Sequence, residues 1–128
     1  MPDGTVLVVD DDPVVQRLLQ VNFEMEGFRV VMAGDGVAGL EQVRTERPDV
    51  VVLDVMMPGM DGLAVTAALR ADPATAGVPV LLLSAKAQGP DIAAGEASGA
   101  DAYVTKPFDP LELVSRVAGL VTGAREPR

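Results

Sequence analysis

Residues Asp49–Gly62, DVVVLDVMMPGMDG, carry the pattern that decides the fold. Apolar positions run without a break from Val50 to Leu53 into one carboxylate, Asp54, and the chain then turns through Met56, Met57, Pro58 and Gly59. A short unbroken apolar run bounded by turn residues reads as a strand buried on both faces. Such strands belong to parallel sheets sandwiched between helices, and ligands bind those sheets beyond the carboxyl ends of the strands. Asp54 stands at one of these ends.

Moving outward, the same pattern recurs. Thr5–Asp10 (TVLVVD) is a first apolar strand that also ends in acids, Asp10 and Asp11. Asp12 followed by Pro13 marks a helix start, with the aspartate as cap and the proline in the first turn. That helix carries Leu18, Leu19 and Phe23 to about Glu26, and Gly27 ends it. Phe28–Ala33 (FRVVMA) reads as a less buried edge strand, followed by a helix with Val37, Leu40 and Val43 on one stripe. Asp61 caps a third helix through Val65 and Leu69. Val78–Ser84 (VPVLLLS) is a fourth strand ending in a hydroxyl, and a weak helix rich in Ala and Gly follows, closed by Gly99. Asp101–Thr105 is a short fifth strand running into Lys106-Pro107-Phe108. Asp109 caps a last helix burying Leu113, Val114, Val117 and Leu120. Strict alternation of strand and helix implies an α/β fold: one (βα)5 doubly wound domain, a five-stranded parallel sheet of order 2-1-3-4-5 with helices on both faces. The domain spans 1–128, with its core at about 5–121 and 122–128 as a frayed tail or the start of a linker.

Composition narrows the chemistry. With 128 residues and 48% hydrophobic content, the chain is a single domain able to bury a core. Aromatics are only 3%, leaving little flat surface for stacking bases or flavins. A net charge of -9 disfavours direct contact with nucleic-acid phosphates. The absence of Cys and His removes thiol nucleophiles, the common zinc sites and any histidine base or phosphoryl carrier. No apolar stretch is long enough to span a membrane, and MPDGT is not a secretion signal, so the expectation is a cytoplasmic protein.

In a parallel sheet the strand ends share one edge, which brings Asp10, Asp11, Asp54, Ser84 and Lys106 together. Any one of these acids alone would read as a solvated turn residue, and Asp12, Asp61 and Asp109 read as helix caps. Clustered carboxylates repel and should raise at least one pKa. A hard divalent cation such as Mg²⁺ relieves that repulsion, using one or two carboxylates with backbone oxygen and water. Carboxylate, cation, hydroxyl and ammonium at one rim suit an incoming phosphoryl group, with Asp54 attacking in line. No G-x-x-x-x-G-K-[ST] motif is present, so the phosphoryl donor comes from elsewhere.

Four stretches in order, VVDDDP, VVLDVMMPGMDG, LLLSAKA and YVTKPFDP, resemble the response-regulator receiver domain of two-component signalling, over about Thr5 to Val121. The resemblance implies Asp54 as phosphoacceptor. It implies a metal site from Asp10, Asp11, Asp54 and the Met56 backbone carbonyl, holding Mg²⁺ or Mn²⁺. Ser84 falls at the switch hydroxyl, Lys106 at the lysine of the site and Tyr103 at the aromatic that swings inward, although an aromatic on a short strand is also a plain packing residue. The peptide bond before Pro107 is expected cis. A histidine kinase or histidine phosphotransfer protein would supply the phosphoryl group, and the chain would be a switch rather than a turnover enzyme. Its switched surface would be the helix 4–strand 5–helix 5 face.

Two departures from that family bear on behaviour. Met56 and Lys86 occupy the positions that modulate self-dephosphorylation, and a thioether cannot orient water, so slow hydrolysis is expected. The fourth helix, DIAAGEASGA, has no Lys or Arg to pair with acids of a second copy, so a monomer or weak phosphorylation-dependent dimer is expected. The alternative is a receiver-like interaction module that is never phosphorylated. A flavodoxin-like cofactor binder and an Asp-nucleophile phosphatase fit less well: the first wants a Gly-rich phosphate loop, the second an acid where Met56 stands.

Overall fold

The computed structural model describes residues 4–86 and 88–125. Strands β1 (Thr5–Val9), β2 (Arg29–Ala33), β3 (Val50–Asp54), β4 (Val80–Ser84) and β5 (Ala102–Thr105) alternate with helices α1 (Pro13–Met25), α2 (Gly36–Glu46), α3 (Gly62–Ala71), α4 (Gly89–Ala97) and α5 (Pro110–Arg125). All strands pair in parallel in the order β2-β1-β3-β4-β5, as expected. The chain leaves β1 to opposite sides, toward β2 and β3, so the switch point lies between β1 and β3.

Strand periodicity sorts the core into two layers. Val6, Val8, Val50 and Val52 face α1 and α5, where they meet Leu19, Phe23, Leu113 and Val117. Leu7, Val9, Val51 and Leu53 face the other way, onto Val43, Val65 and Leu69 of α2 and α3. Because both faces are covered, β3 and β4 are buried at every residue, including Asp54 and Ser84 at their carboxyl ends. Edge strand β2 is partly exposed, as its mixed pattern predicts.

Helix starts follow the cap residues. Asp12, Asp35 and Asp61 each accept a backbone N–H of the first turn, from Val14, Ala38 and Ala64. Asp109 does the same for Leu111 at 2.9 Å. Three details differ from expectation. Val37 is 61% exposed, because α2 buries Gly36, Gly39 and Val43 instead. A Cβ at Gly36 would lie 2.5 Å from Met60 O, so this face packs backbone to backbone, which a hydrophobicity pattern does not register. In the last turns of α5 the buried position is Val121 rather than Leu120, which is only partly buried. The same helix continues to Arg125, past the expected core end at 121, while 126–128 lie outside the described residues.

At the pole opposite the strand ends, Arg70 closes α3 onto its neighbours. Its Nε donates to Gly99 O at 2.8 Å, and Nη1 donates to Ala76 O at 3.1 Å and Val78 O at 2.6 Å. Nη2 pairs with Asp101 Oδ2 at 3.0 Å, and that oxygen also accepts Val80 N–H at 2.8 Å. One side chain thus ties the connection into β4 to the connection between α4 and β5. Arg70→Met keeps the aliphatic packing but strips these acceptors of their donor. It should lower unfolding free energy by about 1–3 kcal/mol in urea titration, and an unchanged midpoint would contradict this account.

Candidate functional site

The carboxyl ends of β1 and β3 lie side by side, and the acids that end them converge. Asp10, Asp11 and Asp54 each offer a carboxylate oxygen, all within 4.8 Å of one another. Asp10 and Asp54 are only 1% and 5% exposed, whereas Asp11 faces solvent. From the end of β5, Lys106 sends its Nζ to 3.5 Å from both Asp10 Oδ2 and Asp54 Oδ1. Four of the residues expected at the rim therefore form one cluster.

Backbone donors hold the acids in place. Asp54 Oδ1 accepts Met56 N–H at 3.2 Å, and Asp10 Oδ1 accepts Asp12 N–H at 2.8 Å. Gly62 lets the loop close on Asp54: a Cβ there would sit 2.5 Å from Asp54 O, and Gly62 N–H donates to Val55 O at 3.0 Å. Gln16 was not singled out from sequence, yet its Nε2 donates to the backbone carbonyl of Asp10. The only signal was an amide in the first turns of the helix that follows the acids.

The other two rim residues lie on the neighbouring strands. Ser84 is buried at the end of β4, and its Oγ accepts Lys86 N–H at 3.0 Å. Tyr103 is half-buried on β5, and its hydroxyl donates to Lys86 O at 2.8 Å. One peptide segment, at Lys86, therefore touches both the hydroxyl and the aromatic. The side chains of Lys86 and Met56 are exposed, while Met57 is buried. A cavity of about 400 Å³ opens beside them, walled by Met56, Met57, Lys86 and Tyr103. The Lys106-Pro107 peptide is cis, as expected.

The electrostatics favour a bound cation. Burial, and after it the neighbouring Asp10 charge, push the Asp54 carboxyl above its ordinary pKa, against the opposing pull of Lys106 and Met56 N–H. Repulsion was the cause expected from sequence, but desolvation is the larger one. Asp10 Oδ2 is buried and, among the described residues, accepts no hydrogen bond, although Lys106 Nζ lies 3.5 Å away. An all-oxygen donor set containing an orphaned buried carboxylate oxygen fits a hard divalent ion.

A five-stranded sheet of this order, with acids and a lysine at its switch-point edge, defines the CheY-like class of (βα)5 domains. The sequence model described as response regulator receiver domain matches residues 6–118, and the chain belongs to that family. Among relatives, the DNA-binding response regulator MtrA of Mycolicibacterium smegmatis is 50% identical over 112 residues, covering 88% of this chain and 48% of that protein. The transcriptional regulatory protein CseB of Streptomyces coelicolor is 46% identical over 122 residues, covering 94% and 51%. The chain thus spans about half the length of these relatives. In solved structures, the Francisella response regulator 1452 receiver domain superposes with a TM-score of 0.90 at 36% identity, covering 95% of this chain and 99% of that one. Chemotaxis protein CheY4 of Vibrio cholerae gives 0.86 at 29%, covering 91% and 98%. No helix among the described residues is long and apolar enough to cross a membrane.

The raised Asp54 pKa has a testable sign. The folded carboxyl holds its proton to higher pH than the unfolded one, so its contribution to stability is complete below the ordinary carboxylate range. That contribution is lost as pH rises through the folded value. In chelator, Asp54→Asn should therefore be more stable than wild type at neutral pH, and the gap should close toward about pH 4. Urea unfolding across that range measures it, and a gap independent of pH would refute the assignment.

Proposed function

We propose that the chain is a phosphoacceptor switch in which Asp54 takes a phosphoryl group from a histidine of a partner kinase or phosphotransfer protein. The observation that carries this reading is the Asp54 carboxylate, buried at a strand end, grouped with Asp10 and Asp11 and 3.5 Å from Lys106 Nζ. An Asp54 oxygen attacks phosphorus, and the new P–O bond forms as the P–N bond of the phosphohistidine breaks. The electron pair leaves with the imidazole nitrogen, which takes a proton from solvent. Asp54 is left as an acyl phosphate.

Each neighbour has a part in that transfer. Lys106 holds positive charge where the phosphoryl oxygens gather. Ser84 accepts from Lys86 N–H but keeps its own proton, which it can donate to a phosphoryl oxygen. Met56 N–H steadies the attacking carboxylate. Asp10, Asp11, Asp54 and the Met56 carbonyl would hold Mg²⁺, or Mn²⁺ in its place. The bound ion supplies neutralising charge to the phosphoryl oxygens. Movement of Ser84 toward the phosphoryl group would release Lys86, and with it Tyr103, altering the α4–β5–α5 face. The chain is then a switch that carries out its own phosphorylation and slow dephosphorylation. At a net charge of -9 it is not itself proposed to contact DNA, and a cytoplasmic setting goes with the reading.

Incubation with acetyl phosphate and Mg²⁺, followed by intact-protein mass, should add one phosphoryl group to wild type and none to Asp54→Asn. Wild type left unmodified under these conditions would favour the interaction module that is never phosphorylated. After removal of the donor, the modified form should persist for minutes or longer, since Met56 cannot position a water and Lys86 stands beside the site. Decay within seconds would overturn that expectation.

A further inference from the structure

Gly95 is the one buried residue of α4. A Cβ at this position would lie 2.5 Å from Tyr103 Cδ2, 2.8 Å from Tyr103 Cε2 and 3.4 Å from Leu82 Cδ1. The first two distances are well inside carbon–carbon contact, so the Tyr103 ring fills the space that a side chain on α4 would need. Backbone conformation does not explain the glycine: Gly95 is absent from the positive-φ glycines, which are Gly4, Gly27, Gly59 and Gly99. Helix propensity does not explain it either, because glycine is the poorest interior helix residue after proline. What remains is the ring.

The rest of α4 is lightly held. Its cap residue Gln88 makes no side-chain capping hydrogen bond, and Asp91 and Ile92 are only half-buried. At its far end the Arg70 side chain reaches Gly99 O rather than the helix itself. We propose that Gly95 is the seat of the Tyr103 ring, and that ring and helix move as one unit, so the position of α4 depends on whether the ring lies against Gly95. The inference rests on Tyr103 being the residue that moves on phosphorylation. It deepens that reading by naming the contact through which the movement reaches α4.

Three variants test it. Gly119 lies in α5 with nothing within 4 Å of its would-be Cβ, so Gly119→Ala reports helix propensity alone. It should raise Tm by about 4 °C. Gly95→Ala should instead lower Tm and raise hydrogen exchange in α4. The chain has one Tyr and no Trp, so tyrosine emission reports Tyr103 alone, and acrylamide should quench it more strongly in Gly95→Ala. In a Tyr103→Ala background the ring is gone, and Gly95→Ala should then raise Tm as Gly119→Ala does. The proposal is overturned if Gly95→Ala behaves like Gly119→Ala from the start, or if its penalty survives removal of the ring.

These measurements use unphosphorylated protein, so they stand even if intact mass shows that Asp54 accepts no phosphoryl group. With acetyl phosphate and Mg²⁺, tyrosine quenching and α4 exchange should change together in wild type. A change in one without the other would also overturn the proposal.

Discussion

Placing negative charge at the dry end of a two-sided sheet is the constraint on which this structure turns. β1 and β3 are covered on both faces, so their last residues have little water to solvate a carboxylate. Asp10 and Asp54 are nonetheless there, side by side, with one lysine between them. Burial alone makes such a pair costly, and mutual repulsion adds to it. The compensation is local and built from backbone: N–H groups of Asp12 and Met56 aimed at the acids, and a glycine that lets the loop fold onto Asp54. The remaining deficit, an orphaned oxygen on Asp10, leaves the edge ready for more positive charge than Lys106 supplies.

The two sides of the sheet are not equivalent with respect to this edge. The α1–α5 side is a continuous apolar layer, closed by Phe23, Phe28 and the buried stripe of α5. The α2–α3 side has an apolar layer of its own, through Val43, Val65 and Leu69, with close approaches at Gly36 and Gly39, but α4 adds only Gly95 to the burial. Side chains packed in rotamer wells resist displacement, and α4 contributes no fully buried side chain of this kind. Plasticity is therefore expected on the side where Ser84, Lys86 and Tyr103 are linked.

Much of this was legible in the chain, for physical reasons that differ by element. Buried parallel strands announce themselves as unbroken apolar runs, so β1, β3 and β4 and the polar residues at their ends were readable, and with them the sheet order. Cap aspartates followed by Pro or Gly located the helix starts. What stayed hidden was packing that uses no hydrophobic side chain. Val37 looked like core because it is apolar, yet Gly36 and Gly39 take that face of α2. Arg70 and Gln16 were not singled out, since sequence shows a donor but not its distant carbonyl acceptors. Convergence of Asp10, Asp11, Asp54 and Lys106 followed from topology, whereas the meeting of Ser84 and Tyr103 at the Lys86 peptide required coordinates.

If α4 moves as proposed, the Arg70 clamp would give it the mechanics of a lever. Its pivot is Gly99, whose carbonyl is gripped by Arg70 and whose φ of 101 suits it to a sharp bend. Its free arm is the nine-residue helix Gly89–Ala97. At 1.5 Å per residue the arm is about 13 Å long, so a tilt of about 10° carries its first turn about 2 Å while the pivot stays still. Such gearing places the largest displacement at the end of the helix nearest the acid cluster. The connections at the opposite pole, tied together by Arg70, would stay in place during such a tilt.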